Sequence, residues 1–393
     1  MAAPAAPIHF APALGELDAS GLRRQRRTVS RAQPQSAGIE VNGRRCVDFC
    51  SNDYLGLAAH PEVVQAFIGA ARIHGVGARA SHLISGHQPE HQALEQELAA
   101  FTGRERAIVF STGYMANLGL VRAIAGRGAA VYGDSLNHAS LIDGGRLSGA
   151  TLCRYPHGDV AVLEQQLIVQ KSGMAIVLTD GVFSMDGDLA PMPALAATSS
   201  RHGAFLVVDD AHGLGVIGAT GRGVLEHYGL SQAQVPALVG TFGKAFGTFG
   251  AFIAGSEELV EMLIQRARTY IYTTALPPAV AAATRAALAV SIAEPWRRER
   301  VLALTRRFRK LATAAGITLG ASQTPIQPIL QGSAESAMRA SNALLEHGFF
   351  VAAIRPPTVP ADTSRLRITL SAAHRDQDVE DLVTALAGTL RPE

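Results

Sequence analysis

The stretch FLVVDDAHGLGVIGATGRGVLEHYGLSQAQVPALVGTFGKAFG, residues 205–247, decides the fold. It holds two short apolar runs, 205–209 and 237–241, and each stops at residues able to do chemistry. The first ends in Asp209 and Asp210, with His212 just beyond. The second ends in Thr241, with Lys244 standing between Gly243 and Gly247. Neither run alternates apolar with polar residues, so both read as strands covered on both faces. Runs of the same kind recur at 107–110, 129–133, 175–179 and 251–254, with helix-like stretches between them. Strand–helix alternation at this spacing predicts an α/β domain with a mainly parallel sheet. In such sheets ligands bind beyond the carboxyl ends of the strands, so the chemistry is expected just after each run.

The texture changes near Pro295. Residues 297–315 read as a basic amphipathic helix, and short strands and a last helix at 376–390 follow. The expected division is an N-terminal arm (1–50), a large α/β domain (51–294) and a small α+β C-terminal domain (295–393). The arm has an Ala/Pro-rich tip at 2–13 and a basic run, LRRQRR at 22–27, on an expected helix. That run is either a solvated helix face or a cationic lip for an anionic substrate or a thioester's phosphates.

The totals exclude several classes. A chain of 393 residues allows two or three domains. Lys plus Arg is 35 and Asp plus Glu is 33, a net +2, too small a balance for nucleic acid as the main partner. With 48% hydrophobic and 17% charged residues the chain buries a large core and is not disordered. Three cysteines make no disulfide framework and are expected as free thiols in a reducing compartment. The N-terminus does not read as a signal peptide, and the best apolar run, 278–292, is broken by Arg285. The expectation is a soluble cytoplasmic enzyme with no membrane partner.

Two motifs are decoys. Gly213, Gly215 and Gly218 match a dinucleotide fingerprint, but ATGRG, residues 219–223, cannot open the helix that a pyrophosphate needs. His87 and His91 stand at helical spacing without an evident third ligand, so a polar or capping function outweighs a metal, and none is expected.

The strand ends converge instead on one cofactor. STGYMAN, residues 111–117, follows a strand and opens a helix, whose free N–H groups and positive dipole end suit a phosphate. His138 follows the next strand and offers an aromatic ring. VFSMDGD, residues 182–188, follows the next. Asp209 offers a carboxylate, and desolvation of Lys244 would supply the neutral amine that imine formation needs. An anion cradle, a stacking ring, a carboxylate and an imine-forming lysine together predict pyridoxal 5′-phosphate.

The motifs SNDYLGL at 51–57, DDAHGLG at 209–215, TFGKAFG at 241–247 and AIRPPTVP at 353–360 resemble those of the α-oxoamine synthases, pyridoxal-phosphate enzymes of fold type I. The resemblance runs from about Leu17 to Leu390. It implies a large domain with a mainly parallel seven-stranded sheet, and a pyridoxal-phosphate-dependent acyltransferase working as a homodimer with its active sites at the interface. The fourth motif points to condensation of L-alanine with pimeloyl-coenzyme A or pimeloyl-acyl-carrier protein, with loss of carbon dioxide and release of free thiol. A sibling that joins glycine to an acetyl or succinyl thioester is the alternative.

Residue by residue, the resemblance implies that Lys244 forms the imine and later moves the Cα proton, that Asp209 pairs with the pyridine nitrogen, and that His138 stacks on the ring. His212 and Ser184 would bond near the phenolic oxygen. Gly113 and Tyr114 would bind the phosphate with help from Thr241, and Thr273 and Thr274 would reach the neighbouring subunit's phosphate. Asn52 and Tyr272 would line the substrate side. Arg355 would grip the amino acid's carboxylate with Thr358 beside it, and Arg23 would meet the far carboxylate of the acyl chain. One departure stands out. Ala78, Arg79 and Ala80 replace an expected glycine-richer run, which bears on the shape of the acyl channel.

Overall fold

The computed structural model describes residues 9–170 and 173–390. Residues 2–8 of the Ala/Pro-rich tip lie outside the described part. From the N-terminal side the strands are β1 (Val29–Arg31), β2 (Gly38–Val41) and β3 (Arg44–Asp48). Seven more follow: β4 (Arg106–Phe110), β5 (Ala130–Asp134), β6 (Thr151–Tyr155), β7 (Ala175–Asp180), β8 (Phe205–Asp209), β9 (Ala237–Thr241) and β10 (Ala251–Gly255). The last four are β11 (Ile326–Gly332), β12 (Phe349–Phe350), β13 (Ala352–Ile354) and β14 (Ser364–Thr369).

β4 to β10 make one seven-stranded sheet, in the order β4-β10-β9-β8-β7-β5-β6. Only β10 runs antiparallel to its neighbours; the pairs from β9 to β6 are parallel. Successive residues enter opposite cores. Val177 and Val208 join the cluster that includes Leu94 and Leu98 of the helix Pro89–Thr102. Ile176 and Val207 join the cluster holding Ala116 and Leu120 of the helix Gly113–Ile124. Both faces are therefore covered, which is why these runs are apolar throughout. Each such buried aliphatic side chain contributes about 1.5–3 kcal/mol.

The six expected strands are all present. β6 is the one that the run-by-run reading lacked. It lies at the sheet edge, where Thr151 and Arg154 are exposed. An edge strand needs no continuous apolar run, so TLCRY carries no signal of that kind.

Toward the C-terminus, β11, β14 and β13 form an antiparallel sheet. The helices Trp296–Ala314 and Asp376–Thr389 stand within one residue of their expected bounds. A third sheet, β1-β2-β3-β12, pairs Val47 of the arm with Phe349 in parallel, tying the two ends of the chain together. The basic run 22–27 is not helical, contrary to expectation; the arm's helix is Ala11–Ala19, and none of its residues is buried. Arg23, Arg24, Arg26 and Arg27 would meet at three- and four-residue spacings on a helix, and like charges there destabilise it. Among the described residues no helix is long and apolar enough to cross a membrane.

Candidate active site

The carboxyl ends of β4, β5, β7, β8 and β9 deliver Gly113, His138, Ser184, Asp209 and Lys244 in turn. Lys244 sits in a turn closed by a hydrogen bond from Gly247 N to its carbonyl, 2.9 Å. Gly247 has φ 64°, and a Cβ there would stand 2.3 Å from Ala58 N. Glycine is what lets this turn seat against the loop at 51–58. Among the described residues nothing hydrogen-bonds or pairs with the Lys244 amine. Burial pushes its pKa down to about 8, against the pull of Asp209 and Asp180 and with the push of Arg367. A buried amine that is about half neutral at pH 8 is a nucleophile and a base.

The sequence offered two adjacent acids, and the structure gives them different partners. Asp210 is fully buried and turned away, accepting a hydrogen bond from Val224 N at 2.7 Å. It clamps the glycine-rich loop, where a Cβ on Gly223 would stand 1.8 Å from its Oδ2. That loop leads into the four-residue helix Val224–His227. Asp209 accepts from Ala211 N at 3.0 Å and from the Asn117 amide at 2.6 Å. Asn117 also donates to Ser140 Oγ at 2.8 Å, and Ser140 Oγ lies 2.7 Å from His138 Nδ1. The His138 backbone N–H donates to Asp180 Oδ2 at 2.6 Å, which fixes the residue at the mouth of its helix.

The anion end is the start of the helix Gly113–Ile124. Thr112 caps it, accepting from Met115 N at 3.1 Å. Among the described residues nothing accepts from the Gly113 and Tyr114 N–H groups, which stand at the positive end of the dipole. The Tyr114 hydroxyl donates to Asp143. Thr241 lies beside β10, its hydroxyl donating to Gly250 O at 2.9 Å. Thr273 and Thr274 follow the helix Arg268–Ile271, which is fastened to the first helix by the Thr269 hydroxyl donating to Met115 O at 2.7 Å.

The loop carrying Ser184 is held from both sides. His157 bridges Asp134 at 3.1 Å and Asp188 at 2.9 Å, and these two carboxylates raise its pKa to about 10. Asp186 pairs with Arg365. Arg367 donates to Ser184 O at 2.7 Å and to Asn52 Oδ1 at 3.2 Å. Buried His212 lies 2.6 Å from the Tyr54 hydroxyl through Nδ1. Burial and the nearby Lys244 and Arg367 cations hold it neutral, well below the ordinary histidine pKa.

Arg367 is a residue that sequence reasoning missed. SRLRIT alternates charge with apolar side chains, which reads as a strand with one face in water. In the fold every residue of β14 is buried, and Arg367 ends beside Ser184, Asn52 and the lysine. A fixed guanidinium there suits a substrate carboxylate. Arg367→Gln should raise KM for the amino acid about 10–100-fold, as loss of a charge-assisted hydrogen bond does; steady-state kinetics against amino-acid concentration test this.

Arg355, Arg23 and Thr358 gather at a different edge. Arg355 donates to Gly21 O, and Arg24 Nη2 to Thr358 Oγ1 at 3.3 Å. Arg23 pairs with Asp18 at 2.6 Å. Arg23 and Arg355 line one open cavity of about 540 Å³ between the arm and β13. Tyr272 is exposed, with the Arg268 guanidinium 4.7 Å over its ring.

His82 is a third histidine beside His87 and His91, which the spacing alone did not reveal. His91 caps its helix, accepting from Gln88 N at 2.9 Å, and its Nε2 donates to Leu276 O at 2.6 Å. With both nitrogens engaged it has no lone pair for a metal, and capping is its function. Next to this cluster, Arg79 takes φ 70°, where glycine would be unstrained, at a cost of about 1 kcal/mol. Ala80 O accepts from Ala275 N at 2.9 Å, joining the non-glycine run to the segment of Thr273 and Thr274.

Fold and site together define a fold-type-I enzyme built around a lysine at the carboxyl edge of its sheet. The family model "Aminotransferase class I and II" matches residues 44–386. An 8-amino-7-oxononanoate synthase of Methylococcus capsulatus is 57% identical over 383 residues, 98% of each chain. The serine palmitoyltransferase of S. paucimobilis, solved with a bound PLP–myriocin aldimine, superposes with a TM-score of 0.91 at 32% identity, covering 97% of this chain and 96% of that one. The 8-amino-7-oxononanoate synthase of Francisella tularensis does so with a TM-score of 0.76 at 31% identity, covering 87% and 97%. The chain belongs to the class I and II aminotransferase family and, within it, to the 8-amino-7-oxononanoate synthases.

Proposed function

We propose that the chain condenses L-alanine with a pimeloyl thioester, carried by coenzyme A or a carrier protein, to 8-amino-7-oxononanoate, carbon dioxide and free thiol, a step of biotin biosynthesis. The observation that carries this reading is a buried, partnerless Lys244 amine with a fixed guanidinium, Arg367, at its side and a second cationic cavity at Arg23 and Arg355. A substrate pair with an amino-acid carboxylate at one end and a distal acyl carboxylate at the other fits those two stations.

The residues fit pyridoxal 5′-phosphate: an amine free to form an imine, a carboxylate, a stacking imidazole and a helix start with unpaired N–H groups. When bound, the cofactor supplies an electron sink for the Cα carbanion. Asp209 would hold a proton on the pyridine nitrogen, and His138 would stack on the ring. Ser184 and His212 would hydrogen-bond near its phenolic oxygen, and Gly113 and Tyr114 would donate backbone N–H groups to the phosphate with Thr241 assisting.

Lys244 takes the Cα proton of alanine and later returns one. Arg367 orients the amino-acid carboxylate, with Asn52 and Tyr272 lining the substrate side, and Arg355 with Thr358 stands beside Arg23 at the second station. Arg23 meets the far carboxylate of the acyl chain. In a homodimer, Thr273 and Thr274 would complete the phosphate site of the other subunit. Exposed apolar residues Ile73, Val76 and Ile84 suit such a contact. Residues 51–294 would form the cofactor-binding unit, 1–50 the arm and 295–393 the second domain. The free cysteines Cys46, Cys50 and Cys153 suit a reducing cytoplasm.

Thiol release by the holo-protein tests the reading. L-Alanine with pimeloyl-CoA should release thiol, while glycine with acetyl-CoA or succinyl-CoA should release at least about tenfold less, since each lost charge contact costs that much. Faster release with a glycine pair would assign the chain to a sibling reaction.

A further inference from the structure

We infer that Asn117 and Ser140 are positioning residues that hold the His138 imidazole in one tautomer, with Nδ1 bare and the proton on Nε2, and that they couple this choice to Asp209. The inference deepens the proposed function, because it says what the stacking histidine presents to the acyl substrate.

The argument is an accounting of donors. Asn117 is fully buried. Its side-chain nitrogen lies 2.6 Å from Asp209 Oδ2 and 2.8 Å from Ser140 Oγ. An ionised carboxylate only accepts, so the amide nitrogen must face it; the flipped amide would set two acceptors against each other. Both amide hydrogens are then used, one toward Asp209 and one toward Ser140. Ser140 Oγ accepts from Asn117, so its own hydrogen is free to go elsewhere. The acceptor in reach is His138 Nδ1, at 2.7 Å. The Ser140 backbone N–H points at the same atom from 3.3 Å. Two donors converge on Nδ1, which therefore carries a lone pair and no proton.

In the neutral ring the proton must then reside on Nε2, on the other edge of the imidazole. Desolvation of the ring on its inward side, together with the Lys244 cation, outweighs the pull of the Asp209 carboxylate and opposes the doubly protonated form. No described residue bonds His138 Nε2, and the residue as a whole is exposed. Its N–H is thus free to donate to an incoming group. The acyl thioester develops negative charge on its carbonyl oxygen as the carbon–carbon bond forms, and a preorganised donor lowers that barrier. Without the chain Asp209–Asn117–Ser140, the ring could present a lone pair there instead and repel the same oxygen.

The test reads protonation directly. In cofactor-free protein with ¹⁵N-labelled histidine, at a pH above the ordinary histidine range, His138 should show a protonated Nε2 and a bare Nδ1. Ser140→Ala should shift part of the population to the Nδ1–H form. In the holo-enzyme the same variant should lose about tenfold in kcat, less than the roughly 10²–10³-fold of removing a donor outright, because part of the population keeps the Nε2–H form. Its KM for alanine and its visible cofactor absorbance should stay unchanged, and Ser140→Thr should restore both tautomer and rate. A wild-type His138 protonated on Nδ1, or a tautomer indifferent to Ser140→Ala, overturns the inference. The wild-type spectrum needs no variant to fold and no substrate. It can therefore succeed where the thiol assay fails, and the two readings fall separately.

Discussion

Lys244→Ala should abolish turnover, by at least about 10⁴-fold, the upper range of what one acid–base group contributes. It should also abolish the visible absorbance of lysine-bound cofactor. The expectation rests on uniqueness of position. Lys244 is the amine that the fold desolvates at the carboxyl edge of β9, between Asp209, Asp180 and Arg367. A surface lysine cannot take over, because it lacks the burial that keeps the amine neutral. The wild-type protein supplies an internal control. Since burial brings the amine to about 8, cofactor uptake by the cofactor-free protein should accelerate as pH rises through about 8 and then level off. The sign follows from the chemistry, because only the neutral form attacks. An uptake rate still rising steeply toward pH 10, as for an ordinary lysine, would contradict the desolvated site. Retained turnover in Lys244→Ala would end the proposed function.

Asp209→Asn should bind cofactor at nearly the wild-type level yet lose on the order of 10³-fold in kcat. The neutral amide keeps the shape but not the charge that holds a proton on the ring nitrogen. It also changes what faces Asn117. An amide at position 209 can turn either its oxygen or its nitrogen toward the Asn117 amide, so the polarity of the chain to Ser140 and His138 is no longer imposed. The loss should therefore exceed that of Ser140→Ala, and the His138 tautomer should become mixed. Absorbance titration measures the binding, and single-turnover loss of the alanine Cα proton measures the step. A rate within a few-fold of wild type would remove Asp209 from the mechanism.

Much of this architecture was legible in the chain. Continuous apolar runs such as AIVLT and FLVVD need cover on both faces, and only a helix-covered, mainly parallel sheet gives it. The rule that ligands meet such sheets at the carboxyl ends then places Asp209, His138 and Lys244 in one region. What escaped has identifiable causes. β6 lies at an edge, where one side is wet and the apolar pattern weakens. The run at 22–27 has helical composition by residue count, yet its arginines repel at helical spacing. His82 was invisible as a neighbour of His91 because a short turn, His82–Gly86, and not one helix, sets their approach.

The chain alone therefore determined the fold class and the cofactor, and it points to the lysine proposed to carry the chemistry. These follow from local patterns, namely which residues end which apolar run. The tertiary structure alone decided which residues support them. Asn117 stands 92 positions from Asp209, and Arg367 stands 315 from Asn52. Nothing local announces such pairs. Strand order in the sheet, with β8 beside β7 and β9, and the return of β14 against the loop of Ser184 bring them into contact. Burial then gives each contact its consequence, because only away from water does a lysine become neutral or a single hydroxyl fix a histidine's proton.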